Sequence, residues 1–202
     1  MSRLVGASRL VAVLCLAAVT LGLAVPAASA APAKKLDANL AALWTTVFET
    51  PSAQNPFGSG GAAFGCLNLG GTVAPFGPNG VESCTVKPGT KIFVTASSFE
   101  CSTFEGNGTT DAELRACAKQ NDVQTAPSVT VDGQSLPVTE VETQLLNIVL
   151  PADNIFGLPA GTTGLSVAHG WVALLRPLTP GTHTVVGSAP SFTTRIIVQP
   201  GH

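Results

Sequence analysis

The amino-acid sequence predicts a mainly β chain, folded as an antiparallel sandwich or jelly-roll-like domain with two short helices. Three observations carry that expectation. Short apolar stretches from residue 91 to residue 198 are separated by turns rich in Gly, Pro, Asn and Asp, the punctuation of a sandwich rather than of βα units. Two stretches have helical periodicity. Four cysteines beyond an N-terminal leader supply the kind of covalent frame that exported domains use.

Residues 1–30 read as an export leader. Arg3 and Arg9 make a positive start, residues 10–25 are a continuous apolar run, and Ala28-Ser29-Ala30 is a small-residue cleavage site. The run is shorter than the ~20 residues a membrane-crossing helix needs, and Pro26 closes it. The expectation is a signal peptide over 1–30 and one secreted, disulfide-stabilised β domain over 31–202. Cys15 leaves with the leader, and residues 12–14 lack the small residue that normally precedes a lipoprotein cysteine. With no second long apolar run, no membrane span is expected in the mature chain.

Cleavage removes two basic residues and leaves eight against twelve acidic ones. Apart from Lys34-Lys35 there is no basic cluster, which argues against nucleic acid and anionic membrane surfaces as partners. An extracellular ligand or a cell-surface component is the partner class that remains. The retained cysteines are Cys66, Cys84, Cys101 and Cys117, and four cysteines allow three pairings. The short spacings favour Cys66–Cys84 and Cys101–Cys117, each closing a loop worth ~3 kcal/mol of unfolded-chain entropy. A zinc site needs closer pairs such as C-x2-C. None occurs, so no metal and no cofactor are expected.

Residues 31–35 read as a flexible leader to a helix over 37–49. There Leu40, Leu43, Trp44, Val47 and Phe48 make one apolar stripe, Asp37 is placed to cap the first turn and Pro51 ends it. Residues 50–80 are rich in Gly, Pro, Asn and Ser and read as an irregular wrapping segment, with Phe57, Phe64 and Phe76 as core plugs. A sugar-binding aromatic platform is the functional alternative. Residues 91–96 form a strand. Thr110 and Glu113 are spaced as a capping box opening a helix to about Lys119. On it Leu114, Cys117 and Ala118 share an inner face, and Asp111, Arg115 and Lys119 an outer stripe. Residues 128–138 read as a hairpin around Asp132-Gly133. Further strands follow at 141–150, at 165–175 with an interruption near His169-Gly170, at 183–186 and at 192–198.

Several phrases recur in a familiar order. Cys84-Thr-Val-Lys-Pro-Gly-Thr-Lys91 precedes a hydrophobic strand, then come Glu100-Cys-Ser and Ala112-Glu-Leu-Arg-Ala-Cys117. Val131-Asp-Gly133, Gly170-Trp-Val-Ala-Leu-Leu and Pro177-Leu-Thr-Pro-Gly-Thr-His-Thr184 follow. In that order the chain resembles a group of uncharacterised secreted bacterial proteins frequent in actinobacteria, over roughly residues 65–198. The resemblance implies an all-β extracellular domain with cysteine pairs. It implies no reaction and carries no catalytic residues across.

Candidate chemistry is sparse. A Ser166/His169/acid triad is conceivable, but the G-x-S-x-G elbow is absent and Ser166 sits in an apparent strand. His183 follows a turn, where histidine commonly bonds loop backbone. Glu140 and Glu142 lie on one strand face ~6.7 Å apart, open to a glycosidase pairing, though their alternation with Val141 marks a solvent-facing row. Glu100, Glu105, Asn107 and Asp111 place oxygen ligands on one loop without a calcium-loop pattern. No zinc-protease, P-loop or dinucleotide fingerprint appears. Asn107-Gly-Thr109 matches a glycosylation sequon, and Leu136-Pro-Val-Thr-Glu140 resembles a sortase signal but lies mid-chain. The reading is a secreted, non-catalytic binding or structural module with no catalytic residues assigned. An extracellular hydrolase or a cell-wall- or carbohydrate-associated protein is the alternative. Function is expected in the loops at 100–111 or 152–164.

Overall fold

An apolar stripe running the length of the first helix decides how the fold is covered. The computed structural model describes residues 33–55, 57–58, 65–77 and 81–201. The leader over 1–30, its cleavage site and Phe64 lie outside them. Helix α1 (Ala33–Glu49) buries Leu36, Leu40, Leu43, Trp44, Val47 and Phe48. It begins a turn earlier than Asp37 predicts, because Leu36 extends the same stripe and burying it favours one more turn. Asp37 is therefore inside the helix, where its carboxylate accepts from Ala38 N at 2.6 Å. Beyond Pro51 comes a 3-10 turn (Ser52–Gln54). Asn55 Nδ2 then donates to Val47 O at 2.5 Å, covering a carbonyl that the helix end leaves open.

The strands are β1 (Gly65–Asn68), β2 (Thr72–Phe76), β3 (Ser83–Val86), β4 (Lys91–Ser102), β5 (Val129–Val131) and β6 (Gln134–Ser135). They continue with β7 (Thr139–Glu142), β8 (Leu146–Val149), β9 (Thr163–Leu175), β10 (Gly181–Ser188) and β11 (Ser191–Val198), and helix α2 (Asp111–Asn121) lies between β4 and β5. One sheet runs β1-β2-β4-β9-β7, with β8 also on β9, and the other runs β3-β11-β10-β5-β6. Pairing is antiparallel except for β2 with β4 and β3 with β11. The chain is thus the mainly β, two-sheet, two-helix domain its sequence predicts.

The first sheet is covered on both faces. Phe93, Val141, Ala168 and Val172 pack against α1. The other face is shared. Ile92, Val94, Ala173 and Leu175 meet Val129, Val185 and Ile196 of the second sheet, while Cys101 and Val167 meet Leu114 and Ala118 of α2. Cys66–Cys84 joins β1 to β3 and so ties the two sheets, and Cys101–Cys117 ties α2 to β4, with Cα separations of 5.4 and 6.0 Å. These are the pairings the spacings favour.

Four sequence expectations need correction. The wrapping segment contains the β1–β2 hairpin. The strand expected at 91–96 continues to Ser102, because its polar residues find partners on both faces. The strand expected at 141–150 is two strands on one neighbour, parted where Thr143 bonds Ala168 through both its backbone N and its hydroxyl oxygen. No interruption occurs at His169-Gly170. A Cβ on Gly170 would sit 2.9 Å from Ser97 O and 3.3 Å from Leu40 Cδ2, so this glycine admits β4 and α1 at close range rather than breaking the strand. The hairpin and capping box form as expected, with positive φ at Asp132 and Gly133 and both reciprocal bonds of Thr110 and Glu113.

Candidate binding cleft

Strand β4 is paired on one side with β9 from Ile92 to Ser102, with a bulge between Thr95 and Ser97, but β2 pairs with it on the other side at Lys91 and Ile92 alone among the described residues. Beyond Ile92 no β2–β4 pairing occurs among the described residues, and a cleft of about 760 Å³ opens beside the strand. All seven residues 94–100 line it. Successive side chains on a strand point to opposite faces, so a cavity touching every one of them runs along the strand's edge. Among the described residues no strand pairs with that edge.

The walls are aromatic. Trp44 of α1 lies 5.8 Å from Phe76 and 6.1 Å from Phe57, ring centre to ring centre. Trp44 Nε1 donates to Ser98 Oγ at 2.9 Å, and Ser98 donates onward to His169 O at 2.8 Å, so a two-bond relay fixes the indole. Phe57 and Phe99 at the rim are 43% and 41% exposed. Phe57 is therefore a rim residue and not the core plug its sequence context suggests, whereas Phe76 packs against the core.

The polar groups are few. Glu100 is 7% exposed and accepts from Ser166 Oγ at 2.5 Å. Burial pushes its carboxyl from 4.5 up to about 9, with neighbouring Glu105 adding to the rise and the Ser166 bond opposing it. At neutral pH Glu100 is an uncharged acid. Glu105 is exposed and accepts from Ser102 Oγ at 3.1 Å. Thr95 Oγ1 is buried with no hydrogen-bond partner among the described residues. Among the described residues no Lys, Arg or His lines the cleft.

The other sequence candidates lie elsewhere. Three positions apart on β9, Ser166 and His169 face opposite sides of the sheet: Ser166 bonds Glu100, and His169 faces α2. The His169 ring is held between two carboxylates, with Nδ1 2.8 Å from Asp122 Oδ2 and Nε2 3.0 Å from Glu140 Oε1. Asp122 also accepts from Ser97 Oγ. With both nitrogens occupied, His169 has no free position from which to activate a nucleophile. Glu140 and Glu142 do share a face, but it is turned to α2: Glu142 pairs with Arg115 at 2.5 Å and Glu140 with Lys119 at 3.3 Å. Bonds from His169 and Lys119 hold Glu140 below its ordinary range. The expected solvent-facing row stays partly exposed, with side-chain exposures of 43% at Glu140 and 33% at Glu142, and is engaged in ion pairs with α2. On the outer stripe of α2, Arg115 and Lys119 accordingly turn back to the sheet.

The four loop oxygens are dispersed. Glu100 and Glu105 face the cleft, Asn107 Oδ1 accepts from Ser102 N at 3.0 Å, and Asp111 pairs with Arg115 at 3.0 Å. Among the described residues no group of three or more potential ligands could hold a metal ion. His183 bonds the loop carbonyl of Thr179 at 2.9 Å, as its place after a turn suggests, and also meets Asp132 at 2.7 Å. The sequence groups Glu100 and Glu105 as possible metal ligands on the 100–111 loop, but not as the acidic pair of a cleft. The signal lies in the alternation Ser98, Glu100, Ser102, a polar row on one strand face opposite the apolar Cys101. No helix among the described residues is long and apolar enough to cross a membrane. No protein-family model and no curated protein matches the chain, so the cleft is interpreted from its own residues.

Proposed function

We propose that this protein is an exported, non-catalytic binding module whose ligand occupies the cleft beside β4. The observation that carries this is the cleft itself, about 760 Å³ beside seven consecutive strand residues. Ligand sites are concave, mostly apolar and furnished with a few fixed polar groups. Here those groups are the uncharged Glu100, the exposed Glu105 and Thr95 Oγ1. Export rests on the leader pattern at 1–30 and membership of a secreted actinobacterial-type group on the ordered phrases of residues 65–198. Two cysteine pairs are what such a compartment permits. The secreted protein should begin at Ala31, which N-terminal sequencing reads directly; a chain retained with Met1 would overturn export.

Binding is tested with the mature protein in a Trp171→Phe background, following Trp44 emission while Nile red, a neutral apolar dye, is titrated. Saturable quenching is expected, and it should be lost when rim residues Phe57 and Phe99 are both changed to Ser. No saturable response overturns the cleft as a site.

One observation favours a second reading. A carboxyl held neutral beside another carboxyl, in an aromatic cleft, is the pairing that glycoside hydrolases use for acid and nucleophile or base. Turnover of aryl glycosides abolished by Glu100→Gln would establish hydrolysis in place of binding alone.

A further inference from the structure

We propose that the edge of β4 left without a partner among the described residues takes up an extended peptide as an added strand, with a lysine or arginine of that peptide set between Glu100 and Glu105. This deepens the binding reading above and rests on it.

The backbone makes the first part of the case. Natural sheets shield their edges by keeping edge strands short. The outer strands β1, β3, β7 and β8 each have four residues and β6 has two. Strand β4 is different: twelve residues long and central in its sheet, it has no partner among the described residues on one side beyond Ile92. The β4–β9 register shifts at a bulge between Thr95 and Ser97, and on either side of it every second residue turns its N–H and C=O outward. Seven residues span about 23 Å at strand rise, the length of one more strand and far beyond what a small molecule covers. Peptide recognition by strand addition uses such an edge for affinity and flanking pockets for alternate side chains.

The side chains supply the second part. Aromatic groups line the cleft on both faces of β4, with Trp44 and Phe76 toward α1 and Phe192 toward the second sheet. Alternating apolar side chains of an added strand would meet one wall and then the other. Two of the exposed large hydrophobic residues, Phe57 and Phe99, stand at this rim. The titratable groups in the lining are Glu100, a neutral acid able to accept a hydrogen bond, and Glu105, which supplies the negative charge, with no basic residue beside them among the described residues. A cationic side chain is the complement that this arrangement lacks, and Phe and Trp faces attract cations as well.

The test uses the whole mature protein and a pool of end-blocked heptapeptides, lysine fixed at the centre and the other positions drawn from Val, Ile, Thr and Phe. Saturable binding is expected, with slowed hydrogen exchange at outward-facing amides of residues 95–101. A matched pool with central glutamate should bind at least about tenfold more weakly, a difference of ~1.4 kcal/mol. Glu105→Gln, at an exposed position that does not endanger folding, should narrow that gap. Methylating alternate peptide nitrogens should abolish binding. Equal binding of the two pools, or binding indifferent to methylation, overturns the proposal. If Nile red or phenethylammonium binds and no heptapeptide does, the cleft is a small-molecule site: this inference fails and the binding reading stands. If nothing binds, both fail.

Discussion

Ser166 and Glu100 meet across the β4–β9 pair at 2.5 Å, hydroxyl to carboxyl, on the face of the sheet that looks toward α1. That contact separates Ser166 from His169 on the opposite face and leaves a neutral acid at the cleft. It also makes a prediction about pH. The folded Glu100 titrates at about 9 against an ordinary 4.5. Its contribution is therefore fully present below pH 4.5 and is lost as pH rises toward 9. Glu100→Gln should flatten the fall in stability across that window and raise stability at pH 7, on the order of 3 kcal/mol at most. The amide can still accept from Ser166 while donating toward Glu105. Urea denaturation at a series of pH values decides it, and parallel profiles for the two proteins would contradict the assignment.

His183 adds a smaller effect of the same sign. Its bond to Asp132 raises its pKa above 6.5, so that stabilisation is complete below pH 6.5 and fades above it. His183→Asn should remove the titration from this turn and leave the Glu100 slope intact, which nuclear magnetic resonance titration of the remaining histidine signals can verify.

The buried polar knot at His169 is structural. Asp122 is 6% and His169 3% exposed, and Ser97, Asp122, His169 and Glu140 bond in sequence between the end of α2 and the sheet. Removing the imidazole strands a buried carboxylate, a loss of about 3–5 kcal/mol where a buried pair is broken. His169→Ala should lower the denaturation midpoint sharply, yet bind Nile red unchanged under conditions where it is folded. Loss of dye binding by a folded variant would place His169 in the cleft's function.

What the sequence discloses here is local, and what it conceals is assembled over distance. The stripe of α1, the Thr110–Glu113 box and the Asp132-Gly133 turn depend on neighbours a few residues away, and each appears where its pattern puts it. The long strands do not announce themselves. Ser97, Ser98 and Glu100 look like the end of an apolar strand because their partners, Asp122, Trp44 and Ser166, lie far along the chain; Glu100 and Ser166 are 66 residues apart. His169-Gly170 looks like a break, since a histidine between carboxylates and a glycine under a leucine are tertiary facts. The cleft is the furthest from view, being a stretch of β4 without a β2 partner among the described residues, walled by aromatics from separate elements.

Gly170 makes the close approach testable. Its missing Cβ lets β4 lie against β9 beneath Leu40, with Ser97 O, a backbone atom, as the nearest obstacle. Backbone cannot swing aside as a flexible side chain can, so Gly170→Ala should cost about 1–3 kcal/mol through overpacking. Gly170→Ala combined with Leu40→Ala would relieve the helix contact and not the backbone one. The double variant should therefore remain well below Leu40→Ala in thermal stability; restoration to that level would mean that only the leucine was in the way.

The last prediction concerns Cys101–Cys117, which pins α2 over the upper half of the sheet. The core beneath that helix is small, resting on Leu114, Ala118, Val167 and Cys101; along its length it is further held by the ion pairs of Arg115 and Lys119 with Glu142 and Glu140, and at its end by the bonds of Asp122 to Ser97 and His169. Partly exposed ion pairs contribute ~1 kcal/mol or less each, whereas the bridge removes ~3 kcal/mol of unfolded-chain entropy. Replacing both cysteines with Ala should therefore loosen α2 before the rest of the domain. Amide exchange over residues 111–121 should accelerate by more than about tenfold, while the α1 face around Leu40 and Val172 keeps its protection. The Cys66–Cys84 bridge should give the contrasting result. It joins the two sheets, so its removal should lower global stability and leave α2 no more mobile than its neighbours. Peptide mapping without reduction fixes the pairing first, and crossed linkages would undo both expectations.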